Sequence, residues 1–177
     1  KKRMTNEIKL TILLARKGAP VPAIWDVDID EAKIIMEKIE GKPLIEILRS
    51  NEHDEELLIK VGRSIRELHR NAVNHGDLST NNILISDNRE AFLIDLGLAT
   101  REYDLEGFGI DLHVLHEILR ASHPDVKGAM DLVLKGYSQL DEELGKPEAA
   151  PGGFPPDAED VIKRLGQIMK RVRYHGG

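Results

Sequence analysis

Residues 75–86 read HGDLSTNNILIS, and residues 93–100 read LIDLGLAT. Asp77 follows His-Gly, Asn82 stands five positions later, and Asp95 stands thirteen positions after Asn82. Each lies beside a short apolar run. The runs NILIS and AFLID predict two strands joined by a four-residue turn, Asp87-Asn88-Arg89-Glu90. If the strands pair, Asp95 arrives near Asn82. A carboxylate and an amide oxygen are hard ligands, suited to Mg²⁺ bound partly by nucleotide phosphates. Asp77 is not needed as a ligand and is free to accept or orient a hydroxyl proton. Gly97 lets the chain turn sharply after Asp95.

Outward from this hairpin the pattern is mostly helical. Upstream, residues 54–73 form an amphipathic helix with Leu57, Leu58, Val61, Ile65 and Leu68 on one stripe. PLIEILRS opens a short helix with Pro43 in its first turn, and Gly41-Lys42-Pro43 reads as punctuation. AIWDV and residues 33–39 form a hairpin across DIDEA, and residues 4–17 form a helix stopped by Gly18. Downstream, residues 110–122 are a mostly apolar, buried helix. Residues 145–157 are a Pro/Gly-rich loop, and a last helix spans about 157–173. Strands early and helices late predict an α+β fold, a small mixed lobe on a mainly helical one.

The 177 residues suffice for one domain in two unequal lobes. Aromatics are only 4%, so the core is aliphatic, and a net charge of −6 argues against nucleic-acid binding by the whole surface. Without cysteine, disulfides and thiolate metal sites are excluded, and a reducing, cytoplasmic setting fits. No apolar run approaches the roughly 20 residues of a membrane span. The chain begins Lys-Lys-Arg without Met, which we read as a start inside a longer protein.

H-x-D-x-x-x-x-N followed by D-x-G resembles the protein-kinase signature. The resemblance implies a protein-kinase-like bilobal fold that uses ATP and Mg²⁺. Its N-lobe is truncated (residues 1–40), and residues 41–177 form a mainly helical C-lobe. Glu7 matches the Glu that pairs with the ATP-binding Lys. MEKIEG, residues 36–41, looks like the linker between lobes. There Met36 is the gatekeeper, and the backbone of Glu37 and Ile39 meets adenine. Leu84 floors the adenine pocket. Asp77 is the catalytic residue, Asn82 and Asp95 hold the metal, and Asp111 fixes the catalytic loop from behind. No Gly-rich loop or strand Lys precedes Glu7, and we expect both upstream of Lys1.

The departures narrow the family. His-Gly-Asp lacks the Arg that senses activation-loop phosphorylation, and the segment between LGLAT and the Asp111 helix is too short to dock a peptide. HGDLSTNN with IDLGLAT and GIDLHVL is similar to the small atypical Ser/Thr kinase of the KEOPS complex, in the RIO-like kinase superfamily. That resemblance implies an ATPase and Ser/Thr kinase that supports threonylcarbamoyl modification of tRNA. Its implied partners are a sugar-kinase-like, tRNA-modifying ATPase and a small regulatory subunit. Lys163, Arg164, Lys170, Arg171 and Arg173 give the last helix a basic face that we expect to meet tRNA or nucleotide phosphates, with Gly176-Gly177 as a flexible end.

The alternatives are a small-molecule phosphotransferase of the aminoglycoside or choline kinase type, which also uses His-Gly-Asp, and a pseudokinase binding module. DVDIDE mimics a calcium loop but has Glu31 where the loop needs Gly. His113 and His116 stand at helical spacing, yet no third metal ligand is evident.

Overall fold

The computed structural model describes residues 2–148 and 153–175, with side chains as far as Val172. Helix α1 (Lys2–Arg16) buries Leu10, Thr11 and Leu14, then stops where Gly18 turns left-handed at φ 74°. Strands β1 (Ile24–Asp28) and β2 (Lys33–Met36) form the first antiparallel hairpin, with a bulge between Ile24 and Asp26. The second strand ends at Met36, three residues earlier than the sequence suggests, and residues 37–40 run on without regular structure.

Gly41–Pro43, expected as punctuation, is strand β3. It lies at the edge of a three-stranded sheet with β5 (Ile83–Ser86) and β6 (Ala91–Leu93), in the order β3-β5-β6. An edge strand tolerates Pro43, which has no N–H to give. Pro43 is therefore the residue before α2 (Leu44–Arg49), not part of its first turn.

Helix α3 (Glu55–Arg70) starts where Asp54 accepts a 2.8 Å hydrogen bond from the Leu57 N–H. Its stripe is fully inside: Leu57, Leu58, Val61, Ile65 and Leu68 are at most 1% exposed. Each contributes about 1.5–3 kcal/mol by burial. After α3, β4 (Val73–Asn74) pairs with β7 (Thr100–Arg101).

Helix α4 (Leu105–Ser122) begins five residues before the predicted start, because Asp104 caps the Glu106 N–H at 3.0 Å. Helices α5 (Ala129–Leu144) and α6 (Ala158–His175) complete the chain. α3 packs on α5 and α4 on α6. The first pair meets backbone to backbone. A Cβ at Gly62 would collide with the Val133 carbonyl, and one at Gly136 with the Ile59 carbonyl. Small antiparallel sheets against a helical body make this an α+β fold. Among the described residues, no helix is long and apolar enough to cross a membrane.

Candidate active site

The β5–β6 hairpin pairs Ile83 with Leu93, and the Ile94 N–H reaches the Asn82 carbonyl at 3.0 Å. The pairing carries Asp95 to the strand end beside Asn82, as the spacing predicts. Asn82 turns its amide nitrogen toward Asp77, giving one bond to the Asp77 carbonyl at 2.9 Å and one to Oδ2 at 3.2 Å. That orientation leaves the amide oxygen for another partner. Asp77 and Asp95 are both exposed, while Leu78 beside Asp77 is fully buried and anchors the loop.

Asp95 is left-handed, at φ 57° and ψ 67°. Its carboxylate accepts from the Gly97 N–H at 3.4 Å, heading a 3-10 turn, Leu96–Leu98. Gly76 explains why the loop reads His-Gly-Asp. Its φ is 77°, and a Cβ there would run into the Leu98 carbonyl.

Asp111 on α4 holds the loop from behind. Its carboxylate accepts from the His75 N–H at 2.5 Å and the Gly76 N–H at 2.9 Å. His75 is a second staple. Its Nδ1 accepts from the Asp77 N–H at 3.3 Å, so the ring proton sits on Nε2 and is donated to the Ile94 carbonyl at 3.0 Å. One imidazole thus ties Asp77 to the strand end that bears Asp95.

Behind Asp111 lies a buried polar chain that the sequence did not announce. His69 Nε2 lies 3.1 Å from Asp111 Oδ2, and its Nδ1 lies 2.6 Å from the Tyr137 hydroxyl. Arg66 donates to the same hydroxyl at 3.3 Å and forks onto Asp141 with two 2.8 Å bonds. Burial holds the His69 ring below its ordinary value, against the pull of Asp111. Burial also pushes the Tyr137 phenol well up. The neutral assignment is consistent: Tyr137 donates to Nδ1, and Nε2–H donates to Asp111. A charged residue beside an apolar helical stripe, as Arg66 is, was the one available signal.

Glu7 on α1 is half-buried and close enough to Asp95 to feel it. Burial first, then the Asp95 charge, push its carboxyl above its ordinary value, and Arg3 opposes. Asn6 beside it bonds the Ala99 carbonyl at 2.7 Å, fixing α1 to the segment after Asp95. Met36, Ile39 and Leu84 are half-buried. The Glu37 N–H is taken by the Ala23 carbonyl at 2.7 Å. Leu84 faces Phe92 and Pro43 across the sheet.

The donor chemistry fits a hard divalent cation: the Asn82 amide oxygen and the exposed Asp95 carboxylate. Among the described residues, no group of three His, Cys, Asp or Glu can hold a metal. Two protein oxygens then need phosphate oxygens and water to complete a shell, the usual arrangement for Mg²⁺.

Glu106 of α4 pairs with Arg164 of α6 at 3.4 Å and also with Arg171. Two of the five cations expected to form a basic face are therefore engaged within the fold. The Arg173 side chain, Gly176 and Gly177 lie outside the described residues.

The RIO domain family model matches residues 1–122. The "KEOPS complex subunit Bud32" of Pyrococcus abyssi is 34% identical over 98% of this chain and 74% of its own. A "Probable serine/threonine-protein kinase BUD32 homolog" of Archaeoglobus fulgidus is 31% identical over 98% of this chain and 77% of its own. A "Probable bifunctional tRNA threonylcarbamoyladenosine biosynthesis protein" of Methanosarcina acetivorans is 34% identical over 98% of this chain. The chain spans only 28% of that last protein's length. Among solved structures, WbdD crystallised with the kinase inhibitor LY294002 aligns with a TM-score of 0.53 at 20% identity. The alignment covers 80% of this chain and 36% of WbdD, and the likeness is one of fold, protein-kinase-like.

Proposed function

This chain belongs to the RIO-domain family, and from that membership we propose that the site around Asp77 transfers or hydrolyses the γ-phosphoryl group of ATP. The single observation that carries the reading is the convergence of Asp77, Asn82 and Asp95 at one hairpin end, with Asn82 bonded to Asp77. Asn82 Oδ1 and the Asp95 carboxylate hold Mg²⁺, which neutralises charge on the transferring group. Asp77, steadied by Asn82 and by the His75 ring, orients the hydroxyl of a Ser/Thr substrate or a water and takes its proton. Positioning and charge neutralisation supply most of the acceleration in this chemistry. Met36, the backbone of Glu37 and Ile39, and Leu84 frame the adenine. Glu7 takes the place of the Glu that pairs with an ATP-binding Lys. Residues 1–40 serve as the N-lobe portion and residues 41–177 as the C-lobe.

The relatives named for KEOPS and for threonylcarbamoyladenosine biosynthesis support a place in that tRNA modification. We assign the chain to the KEOPS complex, bound to its tRNA-modifying ATPase and a small regulatory subunit, in the cytoplasm. The test is ATP turnover by the intact protein. Asp77→Ala should bind Mg²⁺-nucleotide normally and turn over at least about a hundredfold more slowly. Asp95→Ala should lose metal-dependent binding. Wild-type hydrolysis by Asp77→Ala would sink the assignment.

A further inference from the structure

Helix α1 presents one face to the turn that follows Asp95. Arg3, Glu7, Leu10, Thr11 and Leu14 recur at three- and four-residue spacing, so they share a side of the helix. The last three are buried, and the helix packs on the 3-10 turn Leu96–Leu98. Toward the start of the helix the buried stripe gives way to two charged residues, Arg3 and Glu7, beside Asp95 and Gly97.

Gly97 measures how close they come. From the point where a Cβ on Gly97 would lie, Arg3 Nε is 3.3 Å away, Arg3 Nη2 3.5 Å and Asp95 Oδ1 3.2 Å. The guanidinium and the carboxylate therefore border one small space, yet no ion pair joins them. Among the described residues Arg3 makes no hydrogen bond and no ion pair. Glu7 does not claim it, and an Arg four residues ahead of a Glu is the poorer order for a helical pair. The charges still feel one another: burial first, then Asp95, raise the Glu7 carboxyl, and Arg3 opposes. The 2.7 Å bond from Asn6 to the Ala99 carbonyl keeps this part of α1 in place.

We propose that Arg3 is a further binding residue of this site, its guanidinium donating to the terminal phosphate of a nucleoside triphosphate held at Asp95. The inference rests on the reading of the site given above. An unpaired fork of N–H donors matches phosphate oxygens in geometry and in charge. An anion bridged to Asp95 by Mg²⁺ comes within reach of that fork, and the exposed Arg3 side chain is open to it. The placement has two consequences of opposite sign. A cation beside Asp95 attracts the anionic metal–triphosphate complex and repels the bare metal ion. It also favours a triphosphate over a diphosphate, which carries less charge and ends one phosphate short.

The experiment is a calorimetric titration of the intact protein with the β,γ-imido analogue of ATP and with ADP, each in excess Mg²⁺. Beside it runs an NMR titration with Mg²⁺ alone that follows the Asp95 and Gly97 amides. Arg3→Gln should weaken the triphosphate by about tenfold and ADP by less than about threefold. The same variant should bind Mg²⁺ alone more tightly than wild type. Arg3→Lys should keep the wild-type response to Mg²⁺ alone and recover part of the triphosphate affinity. Equal losses for triphosphate and ADP, no loss for either, or weaker binding of Mg²⁺ alone would overturn the assignment of Arg3 and leave the metal site standing. A wild-type protein that binds no triphosphate, or an Asp95→Ala variant that binds it undiminished, would overturn the reading of the site itself and this inference with it.

Discussion

Asn6 and Ala99 stand ninety-three residues apart and are joined by a 2.7 Å hydrogen bond from the Asn6 amide to the Ala99 carbonyl. The bond locks α1 to the segment that follows Asp95, and Glu7 travels with it. Asn6→Ala removes one partly buried bond, a loss of about 0.5–1.5 kcal/mol in stability. Its larger effect should fall on turnover, because Glu7 loses its fixed distance from Asp95. Steady-state kinetics beside thermal melts would separate the two. Unchanged kcat with a lowered melting point would make the bond purely structural.

Asp141 holds more together than its position suggests. It receives both prongs of Arg66, a 2.6 Å bond from Arg70 and the Ala158 N–H that begins α6. Arg66 is fully buried. Asp141→Ala would strand that guanidinium, and breaking a buried pair on one side costs about 3–5 kcal/mol. Urea unfolding should register this loss. The double change Arg66→Met with Asp141→Leu should recover part of it, and equal instability of the two variants would refute the stranded-charge account.

Acid should loosen the fold through His69. Burial keeps its ring below the ordinary value of 6.5. As pH falls below about 6.5 the unfolded chain takes up a proton there and the folded chain does not. The contribution of His69 is therefore complete above that value and is lost progressively below it. His123 acts in the same direction, through burial. Urea midpoints should fall between about pH 7 and 5.5, and His69→Gln should flatten that fall even though it lowers the midpoint at neutral pH. A slope identical in wild type and variant would place the acid sensitivity elsewhere.

The basic face of α6 should contribute unequally to any phosphate backbone it meets. Glu106 holds Arg164 and Arg171, so Lys163 and Lys170 carry more of the contact. For tRNA binding by the assembled complex, Lys163→Ala with Lys170→Ala should lower the logarithmic salt slope by up to about two units. Arg171→Ala alone should lower it by less than about one. Equal slopes in all three proteins would remove this helix from the tRNA surface.

How much of this was legible beforehand depends on the range of the interaction. The β5–β6 hairpin, the α3 stripe and the approach of Asp95 to Asn82 follow from local periodicity and turn length, and all three are present. β3 was missed because three residues ending in Pro carry no alternation, and its pairing partner lies some forty residues on. The start of α4 was missed because Asp104 caps it ahead of its apolar run. The Arg66–Tyr137–His69 chain could not be read, because Tyr137 reaches its partners only after α5 docks on α3.

The glycine contact between α3 and α5 therefore acts as a gauge. With no side chain at Gly62 or Gly136, the two helix backbones approach until they touch, and that close approach helps bring the Tyr137 hydroxyl to the His69 ring. His69 meets Asp111, and Asp111 grips the amides ahead of Asp77. A single methyl group between these two helices would be felt, through His69 and Asp111, as a displaced carboxylate at Asp77.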